Sequence, residues 1–487
     1  MSSVLTHTEE AASIETLEIG PWRAKLLERA RAGMRPLTLY GRREGDRVLI
    51  TVVHQDEARC LVSRTSVDPV HGYHELTTEL PELHCFEREL HEQHGVRIAG
   101  HPWLKPIRFE GGDQAAMGAY PFYRVEGKEV HEVAVGPIHA GVIEPGSFRF
   151  MCFGEHVLHL EIHLGYQHRG AEARLLERPP RALAPLVETI AGDTSIGHCW
   201  AYCAALERLA GLEVDEETDI ARGLALELER IAMHLAGLAG MSADVGFLPG
   251  ASTYGRLRTT AINTTMRLCG SRFGRGALRP GGSGLRLDAE LVALVRSNLE
   301  LLRRDAAIID DCFLAARSVR HRLAGVGELS PETARQLGVV GMAARSAGIA
   351  IDARAIPTGI YGRYPIAVRT EPSGDCWARA RLRMSEIDAS LAWCEAVMAE
   401  PRTWTPQRMT VPALAPSQLA IAVVEGWRGE VVHCLETDGA GALLHYKVQD
   451  PSLRNWMALA LAVRGNEISD FPICNKSFDL SYSGHDL

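Results

Sequence analysis

From Asp219 to Ala239 the apolar residues Leu224, Leu228, Ile231, Leu235 and Leu238 recur every three to four positions, which predicts an amphipathic helix. A second long helix is predicted over Asp288–Ala316, rich in Leu and Ala, with the turn-rich Gly274–Gly282 between the two. Ahead of them the pattern changes. A helix over about Trp22–Ala32 precedes the strand-like run Arg47–His54, and a charged amphipathic stretch, Phe86–His94, stops at Gly95. Val130–Val135 and Ser147–Cys152 read as strands on either side of the loop Gly136–Gly146. The predicted class is α+β. A small N-terminal α+β domain covers 1–112, and a linker marked by Gly111–Gln114 covers 113–125. A mainly helical domain with small peripheral β-sheets follows over 126–487.

Composition narrows the choices. With 46% hydrophobic and 23% charged residues the chain is an ordinary globular one. Its net charge of −9 argues against a general nucleic-acid or anionic-membrane binder. No apolar run reaches the ~18 residues that a membrane helix needs. The first residues carry Glu9, Glu10, Glu15 and Glu18 and no basic segment, so a cytoplasmic location is expected. Eleven cysteines include no C-x-x-C pair, and the chain is expected to hold no cluster of its own. Cys199 and Cys203 share a helical spacing and read as packing residues. Pro280–Gly284 lacks the Lys-Ser/Thr of a phosphate loop, and no G-x-G-x-x-G follows a strand, so no dinucleotide site is expected.

A series of landmarks then points to a family. In order they are Gly136-Pro137-Ile138-His139-Ala140-Gly141 with Glu144-Pro145-Gly146, Tyr166–Glu172, Glu229-Arg230-Ile231 with His234, and Arg272–Gly276 with Pro280-Gly281-Gly282. Gly374-Asp375 with Arg379, Glu425–Glu430, and Asn455-Trp456 with Asp470-Phe471-Pro472 complete the series. In this order they resemble the large subunit of energy-converting, formate-hydrogenlyase-type [NiFe] hydrogenases and its counterpart, the quinone-site subunit of respiratory complex I. The N-terminal part, ending in Gly100-His101-Pro102, resembles the small neighbour domain of that subunit. The resemblance implies a hydrogenase-large-subunit-like fold. It also implies an iron–sulfur small subunit with a [4Fe–4S] cluster as partner, and membrane-arm subunits that attach the pair peripherally to the inner membrane. Nucleic acid is not expected as a partner.

Four cysteines of the family are missing. The motif R-x-C-G-x-C-x-x-x-H becomes Thr189-Ile190-Ala191-Gly192-Asp193-Thr194-Ser195-Ile196-Gly197-His198, and D-P-C-x-x-C becomes Asp479-Leu480-Ser481-Tyr482-Ser483-Gly484. The ligand positions are therefore Ala191, Thr194, Ser481 and Gly484, which offer two hydroxyls and no sulfur, so a NiFe centre is not expected. Nickel-binding members carry a C-terminal extension that is removed after metal insertion. Here the sequence ends at Leu487, which implies a chain that never receives the metal.

The candidate cavity residues are Glu144, Asp193, His198 and Arg428. Glu144 matches a hydrogenase proton-route glutamate and is expected to be a partly buried carboxylate with a raised pKa, or else an ordinary loop carboxylate. Arg428 matches the arginine that overhangs the metal and is expected to pair with Asp193 or Asp479. His198 begins a buried helix or faces the old cavity. His139 contacts a quinone head group or braces its own loop. His168-Arg169-Gly170 and Arg275-Gly276 either meet the small subunit or are helix-end and turn residues.

Two functions compete: a redox subunit passing electrons to a quinone-like acceptor or coupling them to proton movement, and a purely structural subunit. A cleft lined by the four candidates favours the first, and one plugged by Trp200 or Tyr482 favours the second.

Overall fold

The computed structural model describes residues 4–110, 119–141 and 143–487. The linker expected over 113–125 falls partly outside them, at 113–118, and Val142 lies outside them too. The elements that position the site are as follows. β1 (Leu5–Glu10), α1 (Ile19–Arg31), β2 (Arg35–Glu44), β3 (Arg47–Asp56), β4 (Arg59–Val67) and α2 (His84–His94) form the N-terminal part. β5 (Val130–Val135), β6 (Ser147–Phe153) and β7 (His156–His163) lead into α3 (Ser195–Leu209), α4 (Glu216–Asp244), α5 (Leu248–Cys269), α6 (Ala289–Ala315) and α7 (Cys376–Ala399). The chain closes with β8 (Gln418–Glu425), β9 (Glu430–Thr437), β10 (Leu443–Gln449), α8 (Pro451–Ala462), α9 (Phe471–Phe478) and α10 (Tyr482–Asp486).

The predicted helices form, each with a local reason. Asp215 and Asp288 cap α4 and α6, their carboxylates accepting the Thr218 and Leu291 N–H groups at 2.7 and 3.0 Å. α2 ends at Gly95, left-handed at φ 67°, whose N–H returns to the His91 carbonyl. α4 and α7 are buried along most of their length and make the centre of the bundle. The fold is α+β, mostly helical in its larger part.

The sequence reading placed residues 1–112 in a small N-terminal domain. Residues 5–10, assigned there to the N-terminal domain, form β1, which pairs antiparallel with β8 in the sheet β1-β8-β9-β10. The sheet β2-β3-β4 also packs on it, Tyr40, Val53 and Val62 meeting Ile421, Val423 and Val432. Arg35 grips Glu430 with two nitrogens at 3.1 and 2.6 Å across this contact, and the Tyr40 hydroxyl donates to Glu436 at 2.8 Å. N-terminal and C-terminal segments thus share a buried face. Because β9 is buried on both sides, its sequence shows none of the apolar–polar alternation that marks a half-exposed strand.

Candidate functional site

The expected ligand positions Ala191, Thr194, Ser481 and Gly484 lie where three segments meet: the turn before α3, the β8–β9 hairpin and the C-terminal α9–α10 segment. The hairpin is tight. Gly426 and Gly429 exchange backbone hydrogen bonds at 2.9 and 3.1 Å, with Gly429 at φ 146°. Gly341 packs against it so closely that a Cβ there would lie 2.0 Å from the Arg428 carbonyl oxygen. The hairpin therefore delivers Arg428 at a fixed place.

Arg428 is buried and grips Asp193 with both terminal nitrogens, at 2.6 and 2.7 Å. Its Nε donates to the Asp479 carbonyl, and its guanidinium stacks on Trp427 at 3.9 Å. Burial opposes its charge, but Asp193 outweighs burial and holds Arg428 firmly protonated. Of the two carboxylates expected as partners, Asp193 takes the side-chain role. Asp479 contributes backbone: it ends α9 in the left-handed region at φ 55°, which turns its carbonyl toward the arginine.

The ligand positions have new local duties. Ser481 caps α10, its hydroxyl accepting the Gly484 N–H at 2.9 Å. The Thr194 hydroxyl lies 3.3 Å from both Asp193 and Arg428. Ala191 is fully buried. At Gly484 a Cβ would sit 2.6 Å from the Asp450 carboxylate. A side chain at position 484 would therefore meet an acid from the start of α8. With no sulfur donor and a carboxylate against Gly484, these residues do not fit a nickel–iron centre.

Asp450 leads inward along a chain of buried groups. Its Oδ2 accepts from His198 Nε2 at 3.0 Å, His198 Nδ1 meets His433 Nε2 at 3.1 Å, and His433 Nδ1 meets the Tyr446 hydroxyl at 2.8 Å. Burial, then His198, keeps His433 neutral. Burial raises the Asp450 carboxyl, but the His198 hydrogen bond and charge prevail and leave it below the usual range. Glu229, on α4, caps the site helix instead of Thr194: it accepts the Ile196 N–H at 2.8 Å and the Gly197 N–H at 3.3 Å. Burial is the main reason its carboxyl is pushed up to about 8, with nearby Asp193 adding to the rise.

The remaining candidates fall elsewhere. Glu144, expected to be partly buried, is exposed, because its loop lies over the C-terminal segment rather than under it. Its carboxylate accepts the Tyr482 N–H at 3.2 Å. His139 donates to the Gly146 carbonyl at 2.8 Å, bracing its own loop, and also lines a neighbouring cleft. That cleft encloses about 480 Å³ among Ile143, Phe150, Phe471, Leu480 and Tyr482, with Lys476 and Asp479 at its edge. Tyr482 fills the space between Gly146 and Trp456, its ring 4.8 Å from the tryptophan. His168 and Arg169 hold the C-terminal segment: His168 bonds the Asp486 carbonyl at 2.8 Å, and the Arg169 N–H donates to Leu487 at 2.8 Å.

The sequence reading missed Asp450, His433, Tyr446 and Glu229 as site residues. Glu229 already stood in a family landmark, and Asp450-Pro451 carried a helix-start signal. Nothing in the sequence pointed to His433 or Tyr446, which the sheet brings together from two strands.

Comparison with known proteins agrees with this geometry. The family profile for the respiratory-chain NADH dehydrogenase 49 Kd subunit matches residues 244–414. Formate hydrogenlyase subunit 5 of Escherichia coli is 28% identical over 84% of this chain and 76% of its own length. The carbon monoxide-induced hydrogenase of Rhodospirillum rubrum is 29% identical over 72% and 97%. An NADH-quinone oxidoreductase subunit from Clostridium beijerinckii is 27% identical over 69% and 91%. A chain of the membrane-bound sulfane sulfur reductase, an archaeal respiratory membrane complex, superposes with a TM-score of 0.68 over 75% of this chain and all of its own. At 24% identity that likeness speaks for the fold. The chain is thus a relative of the large subunits of group 4 [NiFe] hydrogenases and of the 49 kDa subunit of complex I.

Proposed function

We propose that this chain is a peripheral-arm subunit of a membrane-bound oxidoreductase complex of the hydrogenase and complex I type, one that works without nickel. The observation that carries the reading is the two-point Arg428–Asp193 pair across the former ligand loops, with Asp450 set against Gly484. A pocket closed in this way can hold or exchange protons but has no donors for a soft metal. The relatives are named as subunits of hydrogenases and quinone oxidoreductases, which supports membership of a comparable assembly. No helix among the described residues is long and apolar enough to cross a membrane, so this reading has the chain reach the membrane through partners. Those partners would be an iron–sulfur small subunit carrying a [4Fe–4S] cluster, and membrane-arm subunits.

Within such a complex, the cleft beside His139 would take the quinone-like acceptor. Its size and apolar lining suit a ring with a short tail. Glu229 and the Asp450–His198 pair would take up the protons that accompany reduction. A second reading, a purely structural subunit, is favoured by the packing of Tyr482 between Gly146 and Trp456. The test uses the purified complex, comparing wild type with Ile143→Trp, which fills the cleft. Loss of quinone-driven reoxidation of the partner's cluster supports the redox reading, whereas unchanged turnover supports the structural one. Stoichiometric nickel, or hydrogen evolution, overturns both.

A further inference from the structure

Two cysteines far apart in sequence meet between α7 and α9. Cys376 is the first residue of α7, directly after the N-cap Asp375, whose carboxylate accepts the Ala378 N–H at 2.7 Å. Cys474 lies on α9. Both side chains are fully buried, and their sulfurs are 4.0 Å apart. Cys376 Sγ is also 3.5 Å from the Ser477 hydroxyl and 3.5 Å from Arg379 Nη2. Arg379 is fixed there by the Gly374 and Gly327 carbonyls at 2.6 and 2.8 Å and by stacking on Phe478 at 4.2 Å.

This is a poor environment for a cation and a good one for a thiolate. The guanidinium and the N-terminal end of a long helix both favour negative charge on Cys376. Burial resists ionisation, but the Cys474 hydrogen bond and Arg379 outweigh it and hold Cys376 below the usual thiol range. Cys474 moves the opposite way, chiefly through its bond to Cys376. The two thiols therefore differ in role, as an attacking and a resolving cysteine do.

We propose that Cys376 and Cys474 form a two-electron dithiol–disulfide couple, oxidised by a small peroxide. The Cys376 thiolate attacks one peroxide oxygen and breaks the O–O bond, giving a sulfenic acid and hydroxide. The Cys474 thiol then attacks that sulfur, forming the S–S bond and releasing water. Two electrons pass from the two sulfurs to the peroxide. Bond formation draws the sulfurs from 4.0 Å to about 2.05 Å and pulls α9 toward α7. α9 ends at Asp479, whose carbonyl holds Arg428, and its Lys476 edges the His139 cleft, so the oxidation state would be felt at both. The couple stands whether the subunit proves to be redox-active or structural.

The test is peptide mapping of the full-length chain, reduced, exposed to hydrogen peroxide, then alkylated after denaturation. A Cys376–Cys474 linked peptide that dithiothreitol reverses is expected. Cys474→Ser should leave a dimedone-reactive sulfenic acid on Cys376, and Cys376→Ser should leave none on Cys474. Recovery of both as free thiols in the wild-type chain, while the exposed Cys312 is oxidised, would overturn the proposal whatever the variants do.

Discussion

The Arg428 pocket and the His139 cleft share the segment Asp479–Tyr482, yet they have opposite characters. The pocket is closed by charge: Arg428 pairs with Asp193 at 2.6 and 2.7 Å, and His198 with Asp450 at 3.0 Å. The cleft stays open at about 480 Å³, with Ile143, Phe150, Phe471 and Leu480 along its apolar wall and His139, Lys476 and Asp479 as polar groups at its edge. The difference teaches what each lining demands. A buried guanidinium such as Arg428 is too costly to keep unpaired and must have a counter-charge, here Asp193. An apolar hollow faces no such demand and can persist.

Breaking the pocket should therefore cost far more than altering the cleft. Arg428→Met leaves Asp193 without its cation and frees the Asp479 carbonyl. Loss of one partner from a buried pair costs about 3–5 kcal/mol, and the lower end applies because the Asp193 side chain is 36% exposed. Arg286, whose side chain is 68% exposed, is the control, and Arg286→Met should stay within about 0.5 kcal/mol. Denaturant midpoints of the two variants decide the matter, and equal values would remove the pair from the account.

Glu229 gives the pocket a pH signature. Its carboxyl is raised from an ordinary 4.5 to about 8 in the folded chain. Between those values the folded state keeps a proton that the unfolded chain has released. Stability from this group is therefore complete below the lower value and falls as pH rises through the window, by up to about 1.4 kcal/mol per pH unit. Glu229→Gln retains an acceptor for the Ile196 N–H and should flatten the fall. A profile unchanged by the substitution would place the titration elsewhere.

Replacing a ligand position alone should fail for want of space. In Gly484→Cys the new Cβ meets the Asp450 carboxylate at 2.6 Å, and overpacking of this kind costs about 1–3 kcal/mol. Asp450→Ala removes the obstacle, so the double variant should be less destabilised than the two single changes add up to. Strict additivity would mean that Asp450 does not occupy the cysteine's place.

What the sequence disclosed follows the same physical line. Long helices such as α4 and α6 were legible because an apolar period and a richness in Leu and Ala are local signals. Arg428 and His198 were legible by position in a known pattern. The sheet partners were not: β1 finds β8 across more than four hundred residues, and β9 is buried on both faces, so no apolar–polar alternation announces them. The sequence left Glu144 open between a partly buried and an ordinary loop carboxylate for a similar reason, since how its loop meets the C-terminal segment is a tertiary fact.

The smallest effect should come from the cleft, and it discriminates best. His139 spends one ring nitrogen on the Gly146 carbonyl at 2.8 Å, and it packs so near Gly136 that a Cβ there would lie 2.6 Å from Nε2. His139→Asn is too short to keep that bond, and one lost hydrogen bond at a half-buried site costs about 1 kcal/mol. Stability alone cannot separate a brace from a ligand contact, because both lose the same bond. Kinetics of the purified complex can. A brace that merely shapes the loop leaves the KM for a short-chain quinone near wild type once the protein is folded. A ring that touches the acceptor raises KM while the rate at saturation changes little, since the lost contact serves binding in the ground state and transition state alike. An unchanged KM together with the expected stability loss would confine His139 to its loop and leave the cleft without a polar anchor for the acceptor on that side.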